Sequence, residues 1–111
     1  MEELIALARQ LGQQISAHER TQQLKQVQKK VDADGEAAKL VQAYQEQMQH
    51  LADLERRNKP IEVDDKRKLR DLEEKIAAHP TLGELTRRQV DFVEMMRKIK
   101  DAIDGELQVS V

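Results

Sequence analysis

The sequence predicts an all-α fold: an antiparallel helical bundle with a long helical hairpin, two short N-terminal helices and a long C-terminal helix. Three observations carry this. Apolar residues recur in steps of three and four along nearly the whole chain, which gathers them on one face of a helix. Helix breakers are few, two prolines and four glycines in 111 residues, so each break can be read individually. No segment shows the period-two alternation of a strand, and no internal repeat is present.

The first apolar series is Leu4, Leu7 or Ala8, Leu11 and Ile15. Gly12 weakens this helix without ending it. Around Ser16-Ala17-His18-Glu19 the pattern loses phase. Ser16 followed three positions later by Glu19 matches a capping box and predicts a new helix start there. The seam of this second helix is Leu24, Val27 and Val31. Asp32-Ala33-Asp34-Gly35 forms the next break, with Asp34 as N-cap because its carboxylate can accept from the free N–H groups of the following turn. A long helix then runs from about Gly35 to Asn58, with Ala37, Leu40, Val41, Tyr44, Met48, Leu51 and Leu54 as its apolar positions. That stripe is narrow and stays close to a seven-residue repeat.

Asn58-Lys59-Pro60 is a firm stop, because a residue before proline avoids the α region. Asp64 or Asp65 is expected to cap the next helix, whose face is Leu69, Leu72 and Ile76. His79-Pro80 ends it, and Pro80 suits the first turn of a final helix, where its missing N–H costs nothing. The last seam reads Leu82, Leu85, Gln89, Phe92, Met96, Ile99 and Ile103, widened by Val90, Val93 and Met95. Gly105 is the expected stop. The chain therefore reads as one helical domain over residues 1–111, with residues 106–111 as a frayed tail.

Composition narrows the function. The chain is 36% charged, 39% hydrophobic and 2% aromatic, with Tyr44 and Phe92 its only aromatic residues. A net charge of −2 argues against a dedicated nucleic-acid binder, which is usually strongly basic. The absence of cysteine removes disulfides, thiolate metal sites and cysteine nucleophiles together, and fits a reducing compartment. With no long apolar run, neither a signal peptide nor a membrane span is expected. The expected location is the cytoplasm.

No catalytic constellation emerges. His18, His50 and His79 stand on different elements, and neither His-x-x-x-His nor Glu-x-x-His occurs, so the di-iron bundle pattern is missing. Glu46 and His50 read as an exposed i, i+4 pair. Ser16 and Ser110 are the only serines, and neither sits on a nucleophile elbow. There is no glycine-rich phosphate loop. The chain is read as no enzyme and as needing no cofactor or metal.

Narrow seams offset the entropy of ordering long helices poorly in a solitary chain, since each residue costs about 1–2 kcal/mol to fix. Pairing with a second copy is therefore expected, most simply as a two-fold dimer. The residues read as an oligomer or partner seam are Leu40, Tyr44, Met48, Leu51, Leu82, Leu85, Gln89, Phe92, Val93, Met96, Ile99 and Ile103. Gln89, a polar residue within the seam, either fixes register or reaches water from the helix rim. Arg56, Arg57, Lys59, Lys66, Arg67, Lys68 and Arg70 gather near the hairpin tip. They form a candidate patch for RNA or an acidic partner. Interleaved Glu55, Glu62, Asp64, Asp65 and Asp71, with no aromatic nearby for base stacking, favour a solvated, salt-bridged tip instead.

The pattern resembles the YlbF/YmcA family of small helical bacterial regulators. The likeness begins with Leu4-Ile-Ala-Leu-Ala-Arg-Gln-Leu-Gly-Gln-Gln-Ile15, followed by the second helix through Val31-Asp-Ala-Asp34. It continues through Ala37-Ala-Lys-Leu-Val-Gln-Ala-Tyr44 and the hairpin. It is strongest at Ala77-Ala-His-Pro-Thr-Leu82 and Gln89-Val-Asp-Phe-Val-Glu-Met-Met-Arg-Lys-Ile-Lys-Asp-Ala-Ile103. The resemblance implies a self-associating helical hairpin and a non-enzymatic adaptor. Such an adaptor acts with other regulatory proteins in a complex that influences RNA processing by a membrane-bound endoribonuclease. Gly35 stands where the family often has proline. Some members are associated with iron–sulfur clusters, and this chain has no cysteine to ligate one. The expected function is thus a regulatory adaptor working through helix-mediated self-association and protein binding. The rival expectations are a direct RNA-binding module using the basic tip, and a chaperone-like or tethering helical protein.

Overall fold

Local chemistry sets the helix boundaries. In the computed structural model, which describes residues 1–109, five helices follow in order: α1 (Glu2–Ala17), α2 (Glu19–Ala33), α3 (Gly35–Arg56), α4 (Val63–Ala78) and α5 (Pro80–Leu107). No strand occurs among the described residues.

Asp34 caps α3 as its position predicts. Its Oδ1 accepts from the backbone N–H of Glu36 at 3.1 Å and of Ala37 at 3.2 Å, which satisfies two of the donors that a helix start leaves open. At the far end Asn58 takes a left-handed φ of 55°, a conformation asparagine tolerates better than most residues. Pro60 then keeps the chain out of helix until Val63. His79 is extended, with φ −87° and ψ 117°, as the residue before a proline prefers. Its carbonyl already accepts from the N–H of Gly83 at 2.9 Å, so α5 starts on Pro80 without a gap.

Three expected boundaries move. The Ser16–Glu19 capping box does not form: α1 runs through Ser16 to Ala17. His18 takes the cap role instead, its Nδ1 accepting from the N–H of Arg20 at 3.1 Å. The Ser16 hydroxyl accepts from Lys25 Nζ at 2.8 Å, and its carbonyl accepts from Gln22 Nε2 at 2.7 Å. At α4 the N-cap is Glu62, not Asp64 or Asp65. Asp65 reaches back from the first turn to accept from the Glu62 N–H at 3.3 Å, and both aspartates complement the positive end of the helix dipole. Gly105 does not stop α5, which continues to Leu107. The reversal falls at Gln108, with φ 53°. The tail expected to fray from residue 106 is thus helical at Glu106 and Leu107, and Ser110 and Val111 lie outside the described residues.

The chain gathers into two compact units: Lys29–Glu84, and Met1–Gln28 with the chain from Leu85 onward. In the first, α3 and α4 form the long antiparallel hairpin. The α3 face turned inward keeps a seven-residue repeat at Ala37, Leu40, Tyr44, Gln47, Leu51 and Leu54. Gln47 is 4% exposed whereas Met48 is 43% exposed, so the polar residue occupies the seam position that the sequence assigns to methionine. Its Nε2 donates to the backbone carbonyl of Asp65 at 3.1 Å. His50 Nε2 lies 3.1 Å from Asp65 Oδ1. Asp65 therefore receives α3 through both its backbone and its side chain, and this fixes how far α4 can slide. The facing stripe of α4 is Leu69, Leu72 and Ile76, as predicted, with Leu72 buried. Where the chain leaves and re-enters this hairpin, His79 Nε2 lies 3.5 Å from Asp34 Oδ2. Leu82, 1% exposed, and Val31 complete the buried apolar set of this unit.

In the second unit α2 and α5 run antiparallel. Arg20 donates to the carbonyl of Asp91 at 3.1 Å, and Gln23 accepts from Arg88 at 3.0 Å, so partners descend α5 as residues ascend α2. Thr21, Val27 and Met95 are buried. The buried phase of α5 differs from its predicted seam: Met95 is 8% exposed and Met96 37%, Arg88 is half-buried and Gln89 exposed. The arginine explains the change, because its aliphatic stem can line the interface while its guanidinium reaches Gln23. No residue of α1 is buried.

Candidate interaction surfaces

Burial divides the predicted seam residues into those already covered within the protomer and those open. Leu82 is buried, and Leu40, Tyr44, Leu51, Leu85, Phe92 and Ile99 are half-buried; Leu82 is satisfied internally and is not free for a partner. Met48, Gln89, Val93, Met96 and Ile103 are exposed. Val90 and Leu107 extend the exposed apolar surface of α5. The larger open surface is one the predicted seam omitted: Leu4, Ile5, Leu7 and Leu11 on α1 are all exposed. Their helical spacing was visible in the sequence, but spacing reports a face and not what covers it. A groove along this helix is lined by Met1, Ile5, Ala6, Arg9 and Gln13 with neighbours from α1 alone, so it is the flank of one helix.

Polar links frame the α5 surface. Glu94 pairs with Lys98 at 3.1 Å and lies 4.0 Å from Arg20. The hydrogen bond from Lys98, aided by the charges of Lys98 and Arg20, holds the Glu94 carboxyl below the usual glutamate range. Its ion pairs therefore persist as pH falls to that range and are lost only as pH drops further, through the lowered value.

At the hairpin tip the predicted cations Arg56, Arg57, Lys59, Lys66, Arg67 and Arg70 are all exposed. The salt-bridged tip expected from interleaved charges forms only in part. Arg56 and Arg57 both pair with Asp53, at 3.5 and 3.3 Å. Among the described residues, Lys59, Lys66, Arg67, Lys68 and Arg70 make no ion pair. On α4, Arg67 lies opposite the Leu69–Leu72 stripe, and Lys66, Lys68 and Arg70 are exposed around it.

Among the described residues no three His, Asp or Glu side chains converge as a metal site, and no helix is long and apolar enough to cross a membrane. What the fold offers is helix faces: an apolar one on α1, an apolar one on α5 and a cationic one at the hairpin tip.

A protein built this way belongs with the all-α proteins organised on a long helical hairpin, and comparison with known proteins places it among them. The family described as control of competence regulator ComK, YlbF/YmcA, matches residues 4–108. The chain belongs to this family. Two solved structures share its fold. One is a protein of unknown function (DUF964) from Bacillus stearothermophilus, with TM-score 0.82 and 24% identity, covering 96% of this chain and 93% of that one. The other is Bacillus subtilis RicA, solved in complex with RicF, with TM-score 0.74 and 17% identity, covering 95% of this chain and 93% of that one. Among curated proteins none matches.

Proposed function

We propose that this protein is a non-enzymatic regulatory adaptor of the cytoplasm, working by self-association and by binding other regulatory proteins in the control of RNA processing. The observation that carries the reading is the uncovered apolar surface of α1 and α5. Helices of a finished monomer bury one face against neighbours, yet no residue of α1 is fully buried and Val90, Val93, Met96, Ile103 and Leu107 are exposed on α5. A surface of this kind marks a protein-binding site. Membership of a regulator family and the solution of RicA with a protein partner support the same direction.

Sedimentation velocity tests it. Wild type should sediment above the mass of its 12.8 kDa chain. Val93→Asp with Met96→Asp should return it toward that mass with helicity unchanged, because both side chains are exposed in the protomer. A wild-type monomer at every concentration, together with no binding to other family members from the same host, would remove the adaptor reading.

The unpaired tip cations favour a second reading, direct contact with RNA. Under it, gel retardation at low salt should appear, weaken steeply as salt rises, and vanish in the Lys66→Glu/Arg67→Glu variant. Absence of retardation at low salt removes this reading and leaves the adaptor untouched.

A further inference from the structure

We propose that the tip of the hairpin holds a nucleic-acid duplex by its phosphates, through Lys66, Arg67 and Arg70 on one flank of α4 with Lys59 in the tip loop. The inference rests on the RNA reading above and names the form of nucleic acid and the kind of contact.

Charge is placed unevenly along the chain. Residues 56–70 carry seven cations against three carboxylates, Glu62, Asp64 and Asp65, in a chain whose net charge is −2. The segment is thus +4 and the remainder −6. Attraction for a polyanion is confined to this end of the hairpin.

Helix geometry sorts the cations further. At about 100° per residue, Lys66, Arg70 and Arg67 fall in that order within a sector of about 100°. From Val63 to Arg70 the one other residue in that sector is Val63 itself. Asp64 and Asp71 lie outside it, beyond Arg67, and Glu73 and Glu74 bound it one turn further on. Lys66, Arg67 and Arg70 are exposed, and among the described residues none makes an ion pair. Asp65 is held by the Glu62 N–H and His50. Lys66 and Arg70 are about 6 Å apart along the axis, so their heads can reach separate phosphates of one strand, with Arg67 between them.

The surroundings select a duplex. Proteins that hold single strands stack the bases on aromatic rings. Here the only rings are Tyr44 and Phe92, both half-buried and neither at the tip. Protein partners anchor on large side chains seated in pockets, where valine is under-represented, and Val63 is the single apolar residue of this sector. A duplex asks for neither ring nor anchor. It offers one charge per about 1.7 Å of its axis, on both strands together.

Fluorescence anisotropy at low salt tests this with three probes: a short RNA duplex, a DNA duplex of the same length and an unstructured single-stranded RNA. The RNA duplex is expected to bind about ten-fold or more tightly than the single strand, and the DNA duplex is expected to bind as well. On the DNA duplex, log affinity against log salt should fall with a slope of about −3 to −4, near −0.9 per cation engaged. Lys66→Gln and Arg70→Gln should each lessen that slope by about 1. Lys68→Gln removes the same charge about 160° round the helix from both, and its slope should equal wild type. All three side chains are exposed, so helicity should be unchanged.

A single strand bound as tightly as the duplex overturns the inference and leaves the RNA reading standing. So does a DNA duplex that fails to bind, since contact would then reach beyond phosphates. A Lys68→Gln slope lowered as far as that of Lys66→Gln overturns the sector. Polyglutamate that displaces the duplex at equal charge overturns the inference in favour of an acidic polypeptide. No binding of any probe removes the inference and the RNA reading together.

Discussion

Leu82→Ala is expected to lower the stability of the protein by about 2–5 kcal/mol, the range for emptying a buried leucine site. Leu82 is 1% exposed and sits in the first turn of α5, two residues after the proline that starts the helix. Truncation removes side-chain contacts where α5 is anchored and leaves a cavity that the flanking backbone, held by the Gly83-to-His79 hydrogen bond, closes only in part. Urea denaturation followed by circular dichroism measures the loss. Because Leu82 is covered within the protomer, the loss should not change with protein concentration. Equal stability of Leu82→Ala and wild type would mean that the start of α5 is not anchored there.

The next largest effect is expected at Gln47. Gln47→Ala removes a buried side chain and its hydrogen bond to the Asp65 carbonyl, and should cost about 1–3 kcal/mol. Gln47→Leu fills nearly the same volume with apolar atoms, and its stability should lie within about 1 kcal/mol of wild type. The two variants separate stability from register. With leucine in place, the remaining link across the hairpin at this level is His50 to Asp65, an exposed contact of little weight. Amide exchange at the start of α4 should therefore quicken in Gln47→Leu while the global denaturation midpoint barely moves. If exchange there stays at the wild-type rate, the glutamine fills space and does not set register.

This glutamine also shows where the sequence stops being readable. Chain punctuation was legible: Asp34, Pro60 and Pro80 act through their own backbone chemistry, and the boundaries they set match the structure to within a few residues. The phase of each seam was not. Gln47 and Met48, or Gln89 and Met96 against Arg88 and Met95, are adjacent in sequence and about 100° apart around the helix. Hydrophobicity selects the methionine or the regular step, but the facing helix decides which of two adjacent positions turns inward. At Gln47 a carbonyl on α4 rewards an amide, and at Arg88 a glutamine on α2 rewards a guanidinium. Neither partner is close in sequence. Caps failed for a related reason. Ser16 and Glu19 have the spacing of a capping box, but α1 continues for another residue and His18 supplies the acceptor. Glutamate is a poor N-cap by itself, and only the reciprocal contact from Asp65 qualifies Glu62.

Among the surfaces, the cations of the tip were legible as residues but their pairing was not. Asp53 lies at i, i+3 and i, i+4 from Arg56 and Arg57 and pairs with both. The acidic residues near Lys66 and Arg67 are occupied differently: Asp65 turns to the Glu62 N–H and to His50. That leaves the neighbouring cations to solvent.

The meeting of Asp34 with His79 makes the hairpin an arm whose two roots are fastened at one point. From Gly35 to Ala78 the chain travels out and back, yet it re-enters beside the place where it left. Whole turns added to or removed from the far tip would alter reach without displacing the roots. Length and anchorage are thus set by separate residues, and a chain of this kind can evolve a longer or shorter arm while its attachment stays the same.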